Sequence, residues 1–231
     1  MQPSINNPNT TPLSSPVMSG KMGVKVKVCG MKYPENILEL AALQPDYLGF
    51  IFWERSSRYF DGEMPAISAS IKKVGVFVQE EIEVILAKAE KYNLQAIQLH
   101  GNESVAFCSD LKEKLKEKKI EIIKVFSVND TFDFQELEPF ETVCDYFLFD
   151  TKGKLPGGNG NTFDWRVLEK YPSQKPFFLS GGISLDEVES IKQILNTNLP
   201  IHALDLNSKF ETEPGLKDIT LLQKLQHNLQ L

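Results

Sequence analysis

Eight short runs of apolar, β-branched and aromatic residues recur along the chain, at 24–28, 47–53, 74–78, 96–99, 121–126, 146–149, 176–179 and 203–206. Each has the length of a strand, and each is followed by a segment of helical character. Those segments are 33–43, with Ile37, Leu40 and Ala41 on one face, then 65–71, 80–92, 104–118, 131–143 with Pro139 interrupting it, 165–171, 185–195 and 219–229. Eight strands alternating with helices is the pattern of a (βα)8 TIM barrel, here at the compact end of its size range. An open doubly wound sheet is the runner-up, weakened because no GxGxxG opens the first helix.

Nothing divides residues 23–231, so they are expected to form one barrel domain. Residues 1–20 are rich in Pro, Asn, Ser and Thr and lack the basic start and apolar middle of a signal peptide, so 1–22 reads as a flexible, disordered N-terminal extension. A net charge of -6 argues against a sequence-independent grip on nucleic acid or an anionic membrane surface. No apolar run approaches the roughly 18 residues of a membrane span. Cys29, Cys108 and Cys144 are an odd number without CxxC spacing, which suits a reducing cytoplasm and disfavours a zinc site. His100, His202 and His227 are isolated, so no HExxH-type metal motif is present.

In a barrel, side chains at the strand C-termini share one mouth. Cys29 closes the first strand and Arg58 lies in the loop after the second. Asp150 ends the sixth, Gly181-Gly182 follow the seventh, and Asp205 lies in the eighth with Asn207-Ser208 behind it. The Gly-rich loop after Asp150 lets backbone approach a ligand closely, and Asp164 is placed to cap the helix beyond it. The loops at Gly181, Gly182, Asn207 and Ser208 suit a phosphate, through backbone N–H groups and a helix N-terminus. Lys27 shares a strand face with Cys29, where its ammonium favours a thiolate; a structural ion pair inside the barrel is an equal reading. His100-Gly101-Asn102-Glu103 follows the fourth strand at a pointed position; Glu103 either belongs to that group or is only first-turn charge on the following helix, and His100 is given no catalytic role.

These segments together resemble the phosphoribosylanthranilate isomerase family. The resemblance is carried in order by KVCGM at 27–31, YLGFIFWERSSRYF at 47–60, VGVFV at 74–78, QLHGNE at 98–103, FLFD at 147–150, PGGNGNTFDW at 156–165, LSGGIS at 179–184 and DLNSKFETEPGLKD at 205–218. It implies a (βα)8 barrel that catalyses an Amadori rearrangement of a phosphorylated aminosugar in tryptophan biosynthesis, without metal or organic cofactor, as a monomer or homodimer. By the same resemblance Cys29 is the general base and Asp150 the general acid. Arg58 holds the anthranilate carboxylate, Asp205 contacts substrate, and Gly181, Gly182 and Ser208 fall in the phosphate loops. The chain departs from the family pattern at WERSSR, which lacks the usual flanking prolines, at Asn207-Ser208-Lys209-Phe210, and at Met31-Lys32. Two other readings are a non-catalytic phosphosugar-binding barrel and a related barrel enzyme such as indole-glycerol phosphate synthase, which needs a catalytic lysine at a strand end.

Overall fold

The computed structural model describes residues 23–151 and 165–231. Its sheet comprises β1 (Lys25–Cys29), β2 (Tyr47–Ile51), β3 (Lys72–Phe77), β4 (Ala96–Leu99), β5 (Glu121–Val128), β6 (Tyr146–Thr151), β7 (Phe177–Ser180) and β8 (Ile201–Leu206). All eight pair in parallel and in sequence order, and β8 closes on β1, with Lys27 opposite Asp205. The barrel expected from the alternation of strands and helices is therefore present. Helices α1 (Pro34–Ala41), α2 (Ile82–Lys91), α3 (Val105–Leu115), α4 (Val188–Leu195) and α5 (Ile219–Leu229) cover its outside. No helix among the described residues is long and apolar enough to cross a membrane.

Period-two alternation divides each strand between two cores. On β6, Leu148 joins the barrel interior with Tyr47, Val74, Ala96, Ile123, Val125, Phe178 and Ala203, while Phe147 and Phe149 point outward into the larger layer beneath the helices. Asp150, two residues beyond Leu148, is inward again at the C-terminal end. The same alternation puts Lys27 and Cys29 on one inward row of β1.

Three expected helices are not α-helical. Residues 65–71 form irregular chain before β3, because Ser68 and Ser70 satisfy one another and the local backbone: their hydroxyls lie 2.7 Å apart, Ser70 N donates to Ser68 Oγ, and Ser70 Oγ donates to Gln44. Such side-chain bonds offer the backbone an alternative to a helix. Between Phe134 and Phe140 the chain makes only 3-10 turns with Pro139 inside, since proline withholds the donor an α-helix needs there. The segment Trp165–Lys170 is also 3-10, and Asp164 lies outside the described residues with the Gly-rich loop at 152–164. A small hairpin, β9 (Glu211–Glu213) with β10 (Leu216–Lys217), follows β8.

Candidate active site

The strand C-termini open onto a cavity of about 180 Å3. Cys29, Gln98, His100, Asp150, Gly181, Gly182, Asp205, Asn207, Ser208 and Lys209 all line it, so the barrel gathers seven of the eight expected site residues plus an unexpected histidine, glutamine and lysine. A hollow of about 780 Å3 between α3 and the start of β5 is larger, but its border at Asp110, Lys112, Glu113, Lys116 and Lys119 is charged helix surface away from the strand C-termini.

Cys29 pairs in register with Gly49, and the missing side chain makes room for the thiol: a Cβ built on Gly49 would fall 2.7 Å from Cys29 Sγ. One strand row below, Lys27 Nζ donates to Asp205 Oδ1 at 2.7 Å, with the lysine side chain wholly buried. The ion-pair reading of Lys27 is met by this contact. Burial pushes the Cys29 thiol up, the Lys27 ammonium pulls it down and Asp205 pushes it up again, leaving it above its ordinary value. Burial would strip Lys27 of its proton, but the Asp205 carboxylate beside it raises its pKa above the usual value.

Across the cavity, Asp150 Oδ2 lies 3.9 Å from His100 Nε2. Gln98 Nε2 is 3.2 Å from His100 Nδ1, and with the amide donating, the ring proton sits on Nε2 and faces Asp150. Burial holds the His100 imidazole below its ordinary pKa despite the Asp150 charge, so the ring is neutral near pH 7. Sequence reading set His100 aside, although its place one residue past β4 is a strand-end position like that of Asp150.

Glu103 is not first-turn charge. Ser104 caps α3 by accepting from Phe107 N at 3.2 Å, and Glu103 is buried before it. Its Oε1 accepts from Gln79 N at 2.9 Å and Gly101 N at 3.1 Å, and its Oε2 meets Lys124 Nζ at 3.1 Å. The loops after β3 and β4 are thereby tied to β5, next to His100. Only the charge alternation of a lysine within an apolar strand run, at Lys124, hinted that a buried partner was needed.

Gly181 and Gly182 both have positive φ, +84° and +71°, a backbone that side chains rarely adopt. Among the described residues a Cβ at Gly182 would meet nothing within 4 Å, so the backbone at Gly182 is open to an approaching ligand. Beyond β8, Asn207 leads into a single 3-10 turn, Ser208–Phe210, rather than the helix N-terminus expected there. Arg58 does not line the cavity. Its stem packs over Gly30, the residue after Cys29, and its guanidinium is engaged by Glu211.

A family model described as N-(5'-phosphoribosyl)anthranilate isomerase matches residues 26–228. The N-(5'-phosphoribosyl)anthranilate isomerase of Parabacteroides distasonis is 44% identical over 204 residues, covering 86% of this chain and 90% of its own. That of Phocaeicola vulgatus is 40% identical over 209 residues, covering 89% and 99%. Among solved structures, phosphoribosyl anthranilate isomerase from Thermotoga maritima aligns with a TM-score of 0.75 at 30% identity, over 90% of this chain and 98% of that one. A phosphoribosyl anthranilate isomerase in complex with reduced 1-(o-carboxyphenylamino)-1-deoxyribulose 5-phosphate aligns with a TM-score of 0.72 at 29% identity over the same shares.

Proposed function

The chain belongs to the N-(5'-phosphoribosyl)anthranilate isomerase family, and from that premise we propose the chemistry of its cavity. The reaction is the conversion of N-(5-phosphoribosyl)anthranilate to 1-(2-carboxyphenylamino)-1-deoxyribulose 5-phosphate, an aldose-to-ketose isomerisation in tryptophan biosynthesis. The observation that carries the assignment of roles is that Cys29 and Asp150 face one cavity from β1 and β6, with the Gly181-Gly182 and Asn207-Ser208 loops on its wall.

In this reading Asp150 protonates the ribose ring oxygen, the sugar opens to an iminium, and Cys29 removes the proton from C2. The enolamine that results relaxes to the ketone. The neutral His100 ring beside Asp150 orients the carboxyl without placing a second full charge next to it. Lys27 supports the thiolate from below and Asp205 presents its remaining oxygen to the sugar. The phosphate is received by the backbone of Gly181 and Gly182 with Asn207 and Ser208, and exposed Lys209 adds a cation on the same wall. Arg58, at the rim over Gly30, takes the ring carboxylate.

Lys27 argues against an indole-glycerol phosphate synthase, because its ammonium is fully buried and committed to Asp205. The free thiols of Cys29, Cys108 and Cys144 support a reducing, cytoplasmic setting. The test is the loss of anthranilate-type fluorescence when purified protein meets phosphoribosylanthranilate generated in place from anthranilate and phosphoribosyl pyrophosphate by a separate transferase. Protein-dependent conversion to the ketose establishes the reaction. No conversion by folded protein on confirmed substrate sinks it.

A further inference from the structure

Beside β1 and β8 lies a group of charges that acid-base chemistry at Cys29 and Asp150 does not use. Arg58 Nε donates to Glu211 Oε1 and Oε2 at 2.9 and 3.0 Å, and its Nη2 donates to Oε2 at 2.6 Å. The Glu211 side chain is only 4% exposed, and its Oε1 also accepts from Lys217 Nζ at 2.6 Å and Gly215 N at 3.1 Å. Lys217, wholly buried along its side chain, donates in turn to Asn207 Oδ1 at 2.9 Å, on the cavity wall. Burial pushes the Glu211 carboxyl up, but the Arg58 and Lys217 cations beside it hold it below its usual value.

A guanidinium offers a carboxylate two bidentate edges, one through Nε with a terminal nitrogen and one through both terminal nitrogens. Glu211 occupies the first edge. Among the described residues Nη1 makes no hydrogen bond, so the end-on edge remains for a ligand. Two cations against one carboxylate leave the group with one net positive charge. Gly30 makes room for the Arg58 stem: its φ is +79°, and a Cβ there would fall 2.7 Å from Arg58 Cδ and 2.9 Å from Asn207 Oδ1.

We propose that Glu211, backed by Lys217, is a positioning residue that gives the site its specificity for a ring carboxylate, by clamping one edge of Arg58 and presenting the other. The proposal rests on the isomerase reading of the cavity and adds to it a residue that selects the anthranilate half of the substrate. Without the clamp, the long Arg58 side chain must be ordered by the ligand itself, which weakens binding of the carboxylate and leaves the phosphosugar half unaffected. A clamp that only held the β9–β10 hairpin against the β2 loop would instead affect every ligand alike.

The experiment measures dissociation constants by titration calorimetry for two probes, reduced 1-(o-carboxyphenylamino)-1-deoxyribulose 5-phosphate and its analogue without the ring carboxyl. Wild-type protein, Glu211→Gln and Lys217→Met are compared, with folding checked by circular dichroism. In Glu211→Gln the carboxylated probe is expected to bind about tenfold or more weaker, and the other to stay within about twofold of wild type. Lys217→Met should weaken the carboxylated probe more than the other, which also loses something because Asn207 on the phosphate wall is left without its lysine donor, and Lys217→Arg, which keeps a cationic donor, should recover both. If Glu211→Gln does not fold, the Lys217 pair carries the same expectation. Equal weakening of both probes, or no weakening of either, overturns the proposal. Wild-type protein that prefers the carboxylated probe yet does not turn over phosphoribosylanthranilate sinks the isomerase reading alone; turnover without that preference sinks the clamp alone.

Discussion

In the proposed mechanism Cys29 is the base, and its protonation is contested by its neighbours. Burial and Asp205 raise its pKa and Lys27 opposes them, so the thiolate fraction grows as pH rises through and beyond neutrality. We therefore expect kcat/KM to climb with pH as one proton is lost, and Lys27→Met to move that limb to higher pH. A flat wild-type profile would remove Cys29 from the role of base. Asp150→Asn keeps the shape of the side chain but has no proton of comparable acidity to give. It should lower kcat by about 100-fold or more while thermal stability holds; activity within a few-fold of wild type would refute it as the acid. The cavity positions of these two residues and of the β7-loop glycines were legible in the sequence because each marks the end of an apolar run, and that of Asp205 because it is a charge inside one. Glu211 was not, because it reads as one charge in a polar stretch, and its partner Arg58 is 153 positions away. Periodicity carries no information about such a pair.

Among the elements, strands were read most faithfully, and the ends missed at β3, β6 and β7 share one cause. Lys72, Asp150 and Ser180 extend β3, β6 and β7 beyond their apolar runs, since inward positions near the barrel ends are polar where they serve the mouth or rim. The helices at 65–71 and 131–143 failed for local reasons, serine side chains competing with the backbone and a proline without a donor. Between β4 and β5, Glu103 and Lys124 hold three connections in place and are 2% and 4% exposed along their side chains. Glu103→Ala strands the Lys124 charge and two backbone donors, so it should cost about 3 kcal/mol or more in urea unfolding. A loss below about 1 kcal/mol, the scale of an exposed pair, would show that the contact is solvated.

Across the whole molecule, acid acts on the barrel end opposite the cavity. There His202 Nε2 lies 2.9 Å from the Tyr47 hydroxyl, and its ring lies against Tyr146 and Phe178. Burial, helped by Lys25 and Lys72, lowers its pKa to about 4 from 6.5. Between those values the unfolded chain binds the proton that the folded one refuses, so this contribution is complete above pH 6.5 and is lost as pH falls towards 4. The unfolding free energy should drop over that window, and His202→Phe should flatten the drop; an unchanged acid slope would exonerate His202. At the seam, Lys27 and Asp205 join the first strand to the last across 178 positions of sequence. A ribosome must therefore deliver nearly the whole barrel before the cavity lined by Cys29, Asp150 and Asp205 can exist. A product released upstream of β8 is no weak enzyme: it is an open sheet with two bare edges, the kind of surface that aggregates or is captured by chaperones. Completing synthesis and acquiring activity become a single event for this chain.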